Sequence, residues 1–281
     1  MSRYAIPGFA RSLSLAASLF ACMISVASAQ PASLADFMVD QACAIGPQTR
    51  SAAIAAGHDA KAVDALIASA QQDSKTVKTG QWLVLSSAQC RIKPLVVASA
   101  IKLSDPEVRS SLSSPTVPTA EGDVGCFLDT SRMFQELRRT RSWNEERIHQ
   151  EYLRMLGASI ASGELTFYSS DPLRTPPSFQ LTTGECANVP HMADMQRSHE
   201  NLMTLFDPLI RANAAHVECV RRASLLTYEL REILRRLSKG AITNAWAGME
   251  LNLITMGAGW YEGISAKNPG TPRPPLCHYP A

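Results

Sequence analysis

Two short stretches carry the residue types of a serine acyltransferase, Lys78-Thr79-Gly80 and Ser99-Ala100-Ile101-Lys102. Such a site needs a serine nucleophile with a lysine one helical turn away, followed much later by a Lys-Thr-Gly strand. Here the order is reversed and the two stretches lie about twenty residues apart, so both read as coincidence and Thr79-Gly80 reads as a hairpin turn. His199-Glu200 opens a His-Glu-x-x-His zinc pattern, but Met203 stands where the second histidine would be needed. Hydrolysis of a glycosidic bond asks for two facing carboxylates, and Glu145, Glu146, Glu151 and Glu164 are the available acids. The first two fall in the first turn of an expected helix, where acids are favoured by the helix dipole alone.

His191, Met195, His199 and Met203 recur at steps of four, with ligand types that suit copper. Eight residues of helix span about 12 Å, too far for both histidines to hold one ion, and methionine at this spacing is usual for a packed face. No metal and no cofactor is expected. A helix over 211–239 presents Arg211, Arg221, Arg222, Arg231, Arg235, Arg236 and Lys239 against Glu218, Glu229 and Glu232. This is the candidate interaction face for an acidic partner, set against a solvated surface paired within the helix through Glu218–Arg222 and Glu232–Arg236. Gly257 to Gly263 combines glycines with Trp260 and Tyr261 and reads as a loop that closes a helix and buries Trp260.

The elements that must hold these residues are framed by cysteines. Arg3 and Arg11, the apolar run Leu13 to Val26 and the small residues Ala27-Ser28-Ala29 have the layout of a secretory signal peptide over residues 1–29. Cys22 could instead mark a lipoprotein site, but the apolar run continues past it and Phe20 is bulky for that position. Removing Arg3 and Arg11 from the 27 basic residues leaves 25, equal to the 25 acidic ones, which argues against nucleic acid as a partner. No later apolar run is long enough to span a bilayer; Ile242 to Met256 carries Asn244, Glu250 and Asn252.

Cys43, Cys90, Cys126, Cys186, Cys219 and Cys277 remain after cleavage, an even set without close zinc spacing, and they predict three disulfides in sequential pairs. The segment LSSAQC ending at Cys90 aligns with LTTGEC ending at Cys186, and the residues after Cys43 resemble those after Cys126. Between each cysteine pair the order is helix, helix, hairpin. In the first segment Pro47 opens a helix ended by Gly57, Asp59 caps Ala60 to Gln71, and Thr76 to Lys78 pairs with Trp82 to Ser86. In the second, helices cover Ser131 to Thr140 and Asn144 to Leu156, ending near Gly157, and strands cover Leu165 to Ser169 and Ser178 to Thr182.

The expected fold is therefore α-rich α+β: two mostly helical, disulfide-stapled domains with small β-hairpins, related by internal duplication. The first covers residues 30–112, a linker 113–124, and the second 125–281 with the long-helix region. The expected function is that of an exported, non-enzymatic protein that binds a protein partner or an envelope component. The alternative is a hydrolase acting on an envelope polymer through its acids.

Overall fold

The computed structural model describes residues 33–113, 125–168, 178–189, 191–220 and 228–280. The signal-peptide residues, most of the expected linker, Pro190, Arg221 and Arg222 lie outside the described residues. The fold is about half helical with small antiparallel sheets. Among the described residues no helix is long and apolar enough to cross a membrane.

Ser33 and Asp36 form a reciprocal capping box that starts α1 (Leu34–Asp40). The first stapled segment follows as β1 (Ala44–Ile45), α2 (Thr49–Ala55), α3 (Ala60–Gln72), β2 (Val77–Thr79) and β3 (Trp82–Val84). Asp59 caps α3 by accepting the Ala62 N–H at 2.9 Å, as expected, whereas α2 starts two residues after Pro47. After α4 (Pro106–Arg109) and β4 (Leu112–Ser113), the second stapled segment runs β5 (Phe127–Leu128), α5 (Thr130–Thr140), α6 (Glu145–Ala161), β6 (Leu165–Tyr168) and β7 (Ser178–Leu181).

The two segments share more than element order. In each, the strand after the first cysteine pairs with the second strand of the hairpin, giving β1-β3-β2 and, within a four-stranded sheet, β5-β7-β6. The Leu85 N–H donates to the Cys43 carbonyl and the Leu181 N–H to the Cys126 carbonyl, both at 2.9 Å, at positions that align in sequence. Cys43–Cys90 and Cys126–Cys186 then close the segments with Cα separations of 5.6 and 5.7 Å. The two-residue strands β1, β4 and β5 were not expected, because two residues show no alternation to read.

The rest is α7 (Met192–Thr204), α8 (Phe206–Ala214), α9 (Tyr228–Ser238), α10 (Ala247–Gly257) and the ribbon β8 (Tyr261–Glu262) with β9 (Thr271–Pro272). The continuous helix expected over 211–239 is corrected: α8 ends at Ala214, and Val217 to Cys219 is extended against the C-terminal tail. Cys219 donates its N–H to the His278 carbonyl, His278 returns a bond to the Val217 carbonyl, both at 2.8 Å, and Cys219 is bonded to Cys277. A tertiary crosslink and its backbone pairing override the helical spacing of Cys219. The break between α7 and α8 falls at Leu205, and Pro208 sits in the first turn of α8, where its missing N–H costs no intrahelical bond.

Gly157 is the second correction. It does not end α6, which continues to Ala161; it is where α6 crosses α10. A Cβ on Gly157 would lie 2.9 Å from the Gly257 Cα, so the two glycines let these backbones touch.

The two expected domains are not confirmed as separate bodies. Residues Ala32–Ala281 form one compact unit, and one hydrophobic core joins Met38 and Leu85 to Leu156, Phe206, Trp260 and Leu276. Arg211 fastens the first segment to α8: it pairs with Asp207 at 3.0 Å and donates to the carbonyls of Leu85 at 2.7 Å and Cys90 at 2.8 Å. Asp207 in turn accepts the Ile92 N–H at 2.7 Å.

Candidate functional site

The hairpin of the first segment and the end of the chain meet across a cleft of about 830 Å³. One wall begins at Gly46, where a Cβ would sit 2.4 Å from the Trp82 ring, so glycine there is what lets the indole fold down over the backbone. Gly80, at φ +54°, turns β2 into β3, and the Tyr279 ring lies over it, with Cδ2 3.0 Å from the position a Cβ would take. Tyr279 is held there because its N–H donates to the Thr79 hydroxyl and because the Cys219–Cys277 bond and the His278 pairing fix the residues before it.

The opposite wall comes from the β8–β9 ribbon. Tyr261 faces Pro272 and Glu262 faces Thr271, and the Arg273 N–H donates to the Trp260 carbonyl at 3.2 Å. Alternation along an antiparallel pair therefore places Glu262 and Arg273 diagonally on one face of the ribbon. Both line the cleft, with the amides of Gln41, Gln48 and Gln81 around them.

Arg273 is half-buried, and its guanidinium stands 5.4 Å from the centre of the Trp82 ring. Burial pulls its pKa below the ordinary arginine value, and the nearby Glu262 charge pushes back the other way. Among the described residues its side chain has no hydrogen bond and no ion pair. Glu262 is exposed and likewise forms no ion pair with Arg273. The cleft thus holds one cation and one anion that are not bonded to each other, beside an aromatic platform and three amides.

The residues singled out in the sequence lie elsewhere and are not gathered into one site. Glu145 is paired with Arg138 at 2.7 Å, Glu146 accepts the Ala266 N–H at 2.8 Å, and Glu164 accepts the Ser162 hydroxyl at 3.0 Å. Glu151 accepts the Ala100 N–H at 2.7 Å and pairs with Arg154 at 2.7 Å. Burial works to raise its pKa, but these bonds and the Ser99 hydroxyl hold it below the ordinary carboxylate value. Ser99 of the Ser-x-x-Lys motif is thus spent on a loop-to-helix contact.

His191 is exposed with φ +65° just before α7, while Met195 is buried in the core. His199 packs against Gly163, and burial lowers its pKa. Of the basic set, Arg211 is the clamp described above; Arg231, Arg235, Arg236 and Lys239 are exposed on or beside α9, where Arg235 pairs with Glu232 at 2.6 Å in place of the expected Arg236.

A further ionisable group stands apart from the candidates that the sequence offers. Glu250 is 2 % exposed, inside α10, and accepts the Thr166 hydroxyl at 2.6 Å and the Phe167 N–H at 2.9 Å on the same oxygen. Burial pushes its pKa up to about 7. The legible signal was an acid within the apolar run Ile242 to Met256.

No protein-family model matches this chain, and neither does any curated protein or solved structure.

Proposed function

We propose that the chain is an exported, non-enzymatic binding protein whose Trp82–Arg273 cleft takes a component of the cell envelope. The observation that carries this reading is the half-buried Arg273 guanidinium, which lines a cleft of about 830 Å³ and, among the described residues, is bonded to no carboxylate. A volume of that size suits a small ligand or the end of a larger one. The disulfides and the signal-peptide layout of residues 1–29 support export. Common sheet order and the matched Leu85 and Leu181 bonds support an origin of the two stapled segments by duplication of one module. Hydrolysis through Glu145, Glu146, Glu151 or Glu164 draws no comparable support, since each already accepts bonds from a neighbouring group.

The test is retention. The oxidised protein beginning at Gln30 is mixed with soluble fragments from an enzymatic digest of the envelope, and the fragments held back on ultrafiltration are weighed by mass spectrometry. A fragment retained by the native protein and released by Trp82→Ala supports the reading. Retention of nothing, or conversion of a fragment to new products, overturns it.

A further inference from the structure

Within that reading, we infer that the cleft recognises the zwitterionic α-amino-acid group, with the ligand's carboxylate on Arg273 and its ammonium on Glu262. The inference rests on the cleft being the binding site proposed above and follows from what each kind of ligand would leave unmatched. A neutral ligand would cover Arg273 and strip water from a guanidinium that no carboxylate among the described residues is bonded to, Glu262 acting on it only through space, and would leave that charge unmatched. A simple anion would satisfy Arg273 but face Glu262 on the same side of the ribbon, and a simple cation would do the reverse. A group that carries both charges a few ångströms apart satisfies both residues at once.

The geometry of the charged pair agrees with this. Glu262 and Arg273 are diagonal neighbours on β8 and β9, yet they form no ion pair, which leaves room for a bridging group between them. Arginine presents a planar fork of N–H donors that matches a carboxylate in a way a lysine would not. The Trp82 ring, its centre 5.4 Å from that guanidinium, gives the side chain a neighbour to rest on, which limits the side-chain entropy lost on binding. The rest of the cleft, which includes Tyr279 and the Gln41, Gln48 and Gln81 amides, carries no further charge and suits a side chain or following peptide groups. The same α-amino-acid chemistry can come from a free amino acid or from a wall-peptide residue joined through its side chain, such as diaminopimelic acid, whose outer α-carbon keeps both charges.

The experiment is ligand-observed saturation-transfer NMR on the oxidised protein beginning at Gln30. The probes are the protein amino acids and diaminopimelic acid, each beside its Nα-acetyl and its carboxamide derivative. Saturation of at least one free amino acid, with affinity falling roughly tenfold or more for both derivatives, is the expected result, since a hydrogen-bonded charge contributes about 1.5–3 kcal/mol. In Glu262→Gln the free and Nα-acetyl forms should bind alike, because the group that distinguishes them has been neutralised. In Arg273→Gln the free acid and the carboxamide should bind alike for the matching reason.

The derivative series on the unaltered protein keeps the test decisive if either variant fails to fold. A wall peptide with an unblocked α-amino-acid end that binds tenfold more tightly than the free amino acid assigns the ligand to the polymer; equal affinity assigns it to the free form. Binding that is indifferent to acetylation or amidation overturns the inference, as does no binding of any amino acid or unblocked wall peptide. If galacturonic acid or inorganic phosphate binds instead, the zwitterion assignment fails while the binding function stands, whereas failure of fragment retention removes both.

Discussion

Replacing Glu250 by glutamine isolates what a sealed carboxyl does to stability. The unfolded carboxyl titrates near 4.5 and the folded one near 7, because burial in the seam between α10 and β6 disfavours its charge. Between those values the folded chain keeps a proton that the unfolded chain has released. The contribution of Glu250 is therefore fully favourable below about pH 4.5 and is lost as the pH rises to about 7. At about 1.4 kcal/mol per unit the loss amounts to roughly 3 kcal/mol above neutrality. Glutamine has no charge to strip of water, and its Oε1 can still accept from Thr166 and Phe167, as Glu250 does at 2.6 and 2.9 Å. Its added NH2 group puts a donor where the carboxylate accepts from the Asn244 amide, which costs about 1–3 kcal/mol at every pH. The assay is urea unfolding of the oxidised native and Glu250→Gln proteins from mildly acidic to mildly alkaline pH. The difference between the two curves removes the titration of all other groups. It should move in favour of the variant by roughly 3 kcal/mol across the window, whatever constant offset the amide adds. A difference that stays flat with pH would refute the claim that this carboxyl is buried and protonated near neutrality.

Gly157→Ala should cost about 1–3 kcal/mol in the same urea assay, because the added methyl group meets the Gly257 backbone at 2.9 Å where α6 and α10 cross. Glu107 is held down to about 2 by bonds from Arg141 at 2.7 Å and the Thr140 hydroxyl at 2.6 Å. That stability is present above about pH 4.5 and lost as the pH falls toward 2, and Arg141→Gln should flatten the acid limb of the stability profile. Cys219→Ser with Cys277→Ser should lower stability by up to about 4 kcal/mol on the loop-entropy argument and unseat Tyr279, seen as weaker quenching protection of tryptophan fluorescence. Unchanged protection would mean that the His278 pairing alone places the tail.

The stapling of the chain was legible because cysteine order and two similar segments point the same way, and the helix starts at Asp59 and Asn144 follow from capping chemistry that acts over three residues. What failed did so over long range. Cys219 keeps helical spacing with Leu226 and Leu230, yet its bond to Cys277 pulls it out of the helix. Gly157 has the look of a helix stop, and only its partner Gly257, far along the chain, shows that it is a crossing point. The candidate site was the least legible part, since Trp82 and Arg273 meet only after the tail has been tied back to the first hairpin. An arginine set between Pro272 and Pro274, outside any charge-paired helix, is the one trace the sequence carries of it.

Amide and indole shift mapping tests the central claim most directly. The isotope-labelled, oxidised protein is titrated with the envelope digest while backbone and tryptophan side-chain signals are followed. Binding in the cleft predicts shifts that concentrate at Gln48, Gly80, the Trp82 indole N–H and Arg273. Shifts centred on Arg231 and Arg236 of α9, or no shifts at any concentration of digest, would contradict it.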